Sequence, residues 1–258
     1  MLDWSWGQAL RNRPSASVGS RVTSAHECHQ SCENAPMSEQ LWSHVDEFLV
    51  QLLIPSDGVL DETLATSAEA GLPPISVAPN QGKLLELLAR MQQSRRILEI
   101  GTLGGYSTIW LARSLPSDGV LVSLELEPIH AQIARSNIER AGLGGLVEIR
   151  VGPANSSLSD LLSENVEPFD FIFIDADKES YPQYLDLSLR LSRVGTVIVA
   201  DNVVRSGEVV NSHSSDGRVQ GVRTFLELAA ANDRVEVTAV QTVGSKGYDG
   251  FALLMVTR

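Results

Sequence analysis

Two short apolar runs constrain this chain more than any other feature of it. Phe171-Ile172-Phe173-Ile174 stops on Asp175-Ala176-Asp177-Lys178, and Val197-Ile198-Val199-Ala200 stops on Asp201-Asn202. Unbroken apolar runs of this length suit strands buried on both faces of a parallel sheet. Ligands of such sheets bind in the crevice beyond the carboxyl ends of the strands. Neighbouring strands ending this way would set Asp175, Asp201 and Asn202 on one rim with the amine of Lys178. Three oxygen donors and an amine at a strand edge suit a hard cation with a base beside it.

The bulk properties narrow the classes open to such a chain. Its 258 residues suffice for one α/β domain with a large core. A net charge of −12 argues against a protein held mainly by phosphate contacts, which needs a basic footprint, although brief action on RNA stays open. No apolar stretch approaches the ~20 residues of a membrane helix. Met1–Ser20 holds no continuous apolar segment of the kind a secretory signal carries. The two cysteines, Cys28 and Cys32, offer no disulfide framework, so a cytoplasmic location is expected.

Residues 1–36 are rich in Ser, Arg, Asn and His without a sustained apolar period, which predicts a disordered extension. Inside it His26, Cys28, His29 and Cys32 are zinc-ligand types with no second ligand pair to fix a domain. A single domain is expected over 37–258, with N-terminal helices over 37–94 and a sheet core over 95–258. Leu41, Val45, Phe48, Leu49, Leu52 and Leu53 fall at helical spacing in a first helix, whose apolar face should also take Trp42. Asp57 can cap a second helix to about Gly71, and Asn80 opens a third. Strands are expected at 96–100, 120–125, 146–151, 169–175, 195–201, 234–242 and 250–257. Helices are expected at 105–115, 128–141, 155–164, 180–192 and 218–232. This alternation implies right-handed crossovers and a doubly wound, Rossmann-like α/β fold: a seven-stranded, mostly parallel sheet with helices on both faces. Val243–Asp249 is too short for a helical crossover, so the last two strands should form an antiparallel hairpin.

Ile97-Leu98-Glu99-Ile100-Gly101-Thr102-Leu103-Gly104-Gly105-Tyr106-Ser107 reads as a strand, a glycine-rich turn and a helix start. Such a turn admits close approach of a ligand to the backbone, and the helix start offers free N–H donors. The glycines at 101, 104 and 105 do not follow the dinucleotide spacing G-x-G-x-x-G. Glu125 ends the second strand, where an acid can accept from both ribose hydroxyls. The loop and this acid together point to an adenosine-bearing cofactor.

With these pieces in place, the chain from Ile75 to Arg258 resembles the cation-dependent, S-adenosylmethionine-using O-methyltransferases of the caffeoyl-CoA and catechol group. The resemblance is carried by Glu99–Ser107, Gly152-Pro153-Ala154, Asp175-Ala176-Asp177-Lys178 with Tyr181 and Tyr184, and Asp201-Asn202, in family order and spacing. It implies that Glu99, Gly101, Thr102 and Ser107 line the methionine and ribose part of the cofactor pocket and that Glu125 holds the ribose. It places Ala154 by the adenine, Val77 at a backbone contact and Asp177 at the cofactor's amino-acid end. Asp175, Asp201 and Asn202 would ligate a divalent cation, Mg²⁺ foremost with Mn²⁺ or Ca²⁺ as alternatives, and Lys178 would be the base. Asp175 is thereby both ligand and part of the catalytic pair. Family members are generally dimeric, which makes a homodimer the expected assembly, and the region 206–217 would help select the acceptor.

The chemistry agrees with that assignment. A phenol has a pKa of about 10 and is a poor nucleophile near neutral pH. A cation holding two adjacent oxygens of a diol stabilises the phenolate, and a neighbouring lysine can take the proton. Lys178 is one of only three lysines, with Lys83 and Lys246, among twenty basic residues, so its place beside the acids is notable. The expected substrate is a small phenolic with a vicinal diol. Ser38–Leu60 contains no Lys or Arg, which lowers the case for a CoA thioester. The alternatives are a transfer-RNA hydroxyuridine O-methyltransferase, an NAD-dependent oxidoreductase on a similar sheet, and a non-catalytic binding module.

Overall fold

The central strands carry apolar side chains on both faces, and the architecture follows from the need to cover both. The computed structural model describes residues 39–258. The expected extension over 1–36, with His26, Cys28, His29 and Cys32, lies outside them. Seven strands, β1 (Arg96–Ile100), β2 (Val120–Glu125), β3 (Val147–Val151), β4 (Phe169–Ile174), β5 (Ser192–Asp201), β6 (Val235–Gly244) and β7 (Gly247–Val256), form one sheet in the order β3-β2-β1-β4-β5-β7-β6. The first five are parallel, whereas β7 runs antiparallel to both β5 and β6.

Successive strand residues point to opposite faces, and two cores result. On one face Leu98, Ile100, Ile172, Ile174 and Ile198 pack under α6 (Ala154–Ser163), α7 (Tyr181–Arg190) and α8 (Gly217–Ala231), with Leu161, Tyr181 and Phe225 filling the layer. On the other, Ile97, Phe171, Phe173 and Val199 pack under α2 (Gly58–Glu69), α3 (Pro79–Met91), α4 (Tyr106–Ala112) and α5 (Pro128–Arg140). The sheet is therefore doubly wound, as its sequence periods predict. Chain order reverses between β1 and β4, which places the ligand crevice at their carboxyl ends.

The structure corrects several boundaries. The β6–β7 ladder continues through Val243 and Tyr248 to Gly244 and Gly247, so only Ser245 and Lys246 form the turn, with Gly247 left-handed at φ 88°. The expected connection over 243–249 is mostly strand because cross-strand hydrogen bonds override the polar, glycine-containing composition. β5 begins at Ser192, not 195, and its early residues are absorbed by a register shift opposite Phe169 and Phe171. Thr196 fixes that irregularity, donating to the Phe169 carbonyl at 2.6 Å and accepting from the Arg193 N–H at 3.0 Å. The helix expected over 180–192 is preceded by a 3₁₀ turn at Lys178–Ser180 and ends at Arg190.

The first helix, α1 (Glu39–Leu53), is fastened by a buried polar group. Asp46 accepts from the Asn80 side-chain amide at 3.0 Å and from the Ser245 N–H at 2.7 Å, linking α1 to the start of α3 and the hairpin turn. Phe48, Leu52 and Leu53 on the same helix are more than 60% exposed, so much of the apolar face read from the sequence is uncovered. Among the described residues no helix is long and apolar enough to cross a membrane.

Replacing Asp46 with Ala leaves both donors without this acceptor. The expected cost is roughly 1–3 kcal/mol of unfolding free energy. Urea denaturation checks it: a midpoint that does not move would show that the carboxylate is not a fastening point.

Candidate active site

A cleft of about 800 Å³ opens at the carboxyl ends of the parallel strands. Gly101, Thr102 and Ser107 line it from the glycine-rich turn, Glu125 from the end of β2, and Ala154 from the start of α6. Val77, just before α3, and Asp175, Asp177, Lys178 and Asn202 complete the lining. The two remaining residues expected at the site, Glu99 and Asp201, are buried behind this lining, at 0% and 6% exposure.

The turn after β1 is shaped by Gly101. Its φ is +104°, and a β-carbon there would lie 2.1 Å from the backbone carbonyl oxygen of Asp175, so β1 and β4 meet at this point only because the residue is glycine. Glu125 ties the same turn to β2. Its carboxylate accepts from the N–H groups of Thr102 at 3.2 Å, Leu103 at 2.7 Å and Glu127 at 3.0 Å. His130, which also lines the cleft, has Nδ1 3.4 Å from Glu125 Oε1.

Glu99 lies beneath the turn on β1. It accepts from the hydroxyls of Ser107 at 2.6 Å, Ser123 at 2.6 Å and Thr108. Burial outweighs those bonds and pushes its carboxyl up to about 7. Glu99 thus fixes Ser107 from below, and Ser107 is the residue that faces the cleft.

The acidic rim follows from strand register. Ile174 pairs with Ala200, so Asp175 and Asp201 are the next residues on adjacent parallel strands. Lys178 donates to Asp175 Oδ1 at 2.8 Å and to the Tyr181 hydroxyl at 2.8 Å. Tyr181, fully buried, donates onward to the Asp201 backbone carbonyl at 2.8 Å, with the Ile174 carbonyl at 3.1 Å. The Asp201 carboxylate accepts from the Gln81 side chain at 2.7 Å and from the Asn202 N–H at 2.8 Å. Burial, then the nearby charge of Asp175, push its carboxyl up to about 7. Asp177 accepts from the Ser180 N–H at 3.2 Å, capping the 3₁₀ turn that carries Lys178, and also from the Tyr184 hydroxyl. Behind Lys178, a β-carbon on Gly221 would come within 2.1 Å of its carbonyl oxygen, which explains how closely α8 packs there.

All twelve residues expected from the sequence thus gather at one end of the sheet. Sequence reasoning missed Gln81, whose only local signal is its place at the start of α3, and His130, one turn into α5. It also missed Arg205 and Arg218, which line the cleft, and it gave Tyr181 no role.

Comparison with known proteins gives a consistent result. Residues 55–255 match the O-methyltransferase family model. A catechol O-methyltransferase from Niastella koreensis is 51% identical over 220 residues, covering 85% of this chain and 100% of that relative. A catechol O-methyltransferase from Mycobacterium tuberculosis is 48% identical over 212 residues, covering 82% and 94%. Among solved structures, an O-methyltransferase from Bacillus cereus in complex with SAH superposes with a TM-score of 0.84 at 57% identity, covering 85% and 100% of the two chains. The tomaymycin-synthesis O-methyltransferase of Streptomyces achromogenes, in complex with SAM, gives 0.84 at 48% identity, covering 86% and 100%.

The raised carboxyl of Glu99 has a consequence for stability. A carboxyl that goes from 4.5 to about 7 on folding binds its proton more tightly in the folded state. Its stabilising contribution is therefore complete below pH 4.5 and lost as pH rises through 7, about 3 kcal/mol in all. In Glu99→Gln, whose hydroxyl partners can reorient, that part of the pH dependence should disappear. Urea denaturation of both proteins at pH 5 and pH 8 measures it, and equal slopes in the two would contradict the assignment.

Proposed function

The chain belongs to the O-methyltransferase family, and from that premise we propose that it methylates a hydroxyl of a catechol-like vicinal diol, assisted by a divalent cation. That it is an S-adenosylmethionine-dependent O-methyltransferase follows from the family match and its relatives. The diol and the cation are supported by the acidic rim. The observation that carries the reading is the register of β4 against β5, which puts Asp175 beside Asp201 with Asn202 next in line. The activity named for the two relatives, catechol O-methylation, points the same way.

The donor set fits a hard cation. Asp201 is buried and hydrogen-bonded only by an amide and a backbone N–H, while the single amine nearby is held by Asp175. Two adjacent carboxylates in a largely buried edge call for more positive charge than one lysine brings. Asp175, Asp201 and Asn202 would all offer oxygen, which suits Mg²⁺ and also Mn²⁺ or Ca²⁺. Among the described residues no group of three or more His, Cys, Asp or Glu gathers; Asp175, Asp201 and Asn202 would hold the cation. When bound, the cation supplies the charge that lets a phenolic hydroxyl ionise near neutral pH.

The chain's own residues do the rest. Lys178, oriented by Asp175 and Tyr181, would take the phenolic proton at Nζ as the neutral amine, the form that a cation bound by Asp175 and Asp201 would favour over the ammonium. Glu125 holds the donor's ribose, Ala154 lies by its adenine, and Asp177 meets its amino-acid end. Gly101, Thr102 and Ser107, braced by Glu99, with the backbone at Val77, shape the pocket between them. The phenolic oxygen bonds to the methyl carbon as the carbon–sulfur bond breaks, giving a methyl ether and S-adenosylhomocysteine. Alignment and fixed charge are the protein's contributions to this step. Family membership removes the oxidoreductase reading, and a net charge of −12 keeps transfer RNA the less favoured acceptor. A homodimer would cover the exposed apolar residues of α1.

Methyl transfer from labelled S-adenosylmethionine to a catechol panel should vanish with EDTA and return with Mg²⁺. Full activity after complete metal removal would overturn the cation's role. Asp201→Ala should lose turnover while retaining calorimetric binding of S-adenosylmethionine; equal loss of both would remove Asp201 from the acceptor side. Lys178→Met should lower kcat by about 10²–10⁴-fold, and an unchanged kcat would exclude it as the base.

A further inference from the structure

Asp201 is buried at the end of β5, and among the described residues its carboxylate accepts one hydrogen bond on each oxygen. Oδ1 accepts from the N–H of the next residue, Asn202, at 2.8 Å. Oδ2 accepts from the Gln81 side-chain amide at 2.7 Å, and this bond comes from a different element, 120 residues away in the chain. A carboxylate offers about four lone-pair sites, so each oxygen keeps capacity for a further partner. The Gln81 bond therefore settles which way the carboxylate faces without using it up.

Gln81 is itself set on firmly held chain. It lies in the first turn of α3, two residues after Pro79 at the helix start. Its neighbour Asn80 donates to Asp46 Oδ1 at 3.0 Å and accepts from the Gln81 N–H at 2.9 Å. On the other side, Gly82 packs so closely on the Trp110 ring that no β-carbon would fit between them. The backbone at residue 81 is thus fixed by contacts that the Gln81 side chain does not make. Gln81 does not line the cleft, so whatever it does at the site it does through Asp201.

The kind of donor matters as well as its place. Asp175, the other acid of the rim, is held by the Lys178 amine at 2.8 Å. Asp201 is held by an amide, which carries no charge and so orients the carboxylate without cancelling it. Strand register sets the two acids side by side, and the direction of Asp201 decides whether its oxygens face the rim it shares with Asp175 and Asn202. We propose that Gln81 is a positioning residue for the cation site, holding the Asp201 carboxylate in the direction in which it would take a divalent cation. This rests on the cation-assisted reading above and adds to it a residue outside the cleft that sets cation affinity.

The test titrates Mn²⁺ into the full chain with S-adenosylmethionine and no acceptor, following the free ion by electron paramagnetic resonance. Mn²⁺ bound by the wild type and lost in Asp201→Ala marks the site. Gln81→Met keeps the length of the side chain without the donor, and Gln81→Asn keeps the amide one methylene short of Asp201. Both should weaken that Mn²⁺ by about 10–100-fold, while calorimetric binding of S-adenosylmethionine stays as in the wild type. In methyl transfer to a catechol the KM for Mg²⁺ should rise to match, with kcat at saturating Mg²⁺ largely kept. A folded variant of either kind that holds Mn²⁺ as tightly as the wild type overturns the positioning role and leaves the cation reading standing. An equal loss of S-adenosylmethionine binding also overturns it, because Gln81 would then be a general support of the fold. A wild type whose Mn²⁺ binding Asp201→Ala does not alter overturns the cation reading, and the role of Gln81 with it.

Discussion

The hydroxyl of Tyr181 joins three groups whose relative positions set the site. It accepts from the Lys178 amine, donates to the Asp201 carbonyl at the end of β5, and lies 3.1 Å from the Ile174 carbonyl at the end of β4. Burial holds its proton far above the usual phenol range, so it remains a donor throughout the physiological range. Its ring is fixed edge-on against Phe225 of α8, which couples the rim to the packing of one whole helical layer. The spacing of the two acids and the lysine is therefore a property of the core, not of a surface loop.

A second theme is the division of charge across the cleft. On the side of β1 and β2, carboxylates are spent on holding the chain: Glu125 gathers the N–H groups of the turn, and Glu99 braces Ser107 through hydroxyls. On the side of β4 and β5, two carboxylates lie close together with a single buried amine beside them. The first arrangement suits a ligand recognised by its hydroxyls and amino-acid end. The second suits one that arrives with positive charge or needs a proton removed. Methyl transfer between a sulfonium and a phenol requires both in one crevice, and the strand reversal between β1 and β4 supplies it.

Most of the fold and the strand-end residues of the cleft were legible in the chain because they rest on short-range signals, whereas Val77, Ala154 and Asp177 were expected there only through the family resemblance. Phe171–Ile174 and Val197–Ala200 are apolar on both faces, so they had to be central strands, and their last residues had to reach the rim. Gly101 and Glu125 announced themselves as a turn and a strand-end acid. What escaped was set by distant partners. Gln81 is an ordinary helix-start amide until α3 brings it 2.7 Å from Asp201, 120 residues away. The hairpin turn shrank to two residues because the β6–β7 ladder satisfies backbone groups that composition alone assigned to a loop.

By itself the sequence determined the order and kind of the elements, the chemistry at each strand end, and the acids and amine that meet there. Those follow from local period and residue type, which act over a few residues. Only the tertiary structure decided which donors find which partners. That Arg205 stops 3.8 Å from Asp249 while Arg218 is closed on Asp216 depends on where Asp249 and Asp216 come to rest. So does the outward apolar face of α1, fastened through Asp46 to a turn 199 residues further along the chain. Hydrogen-bond satisfaction is a property of three-dimensional neighbours, and one-dimensional spacing carries no account of it.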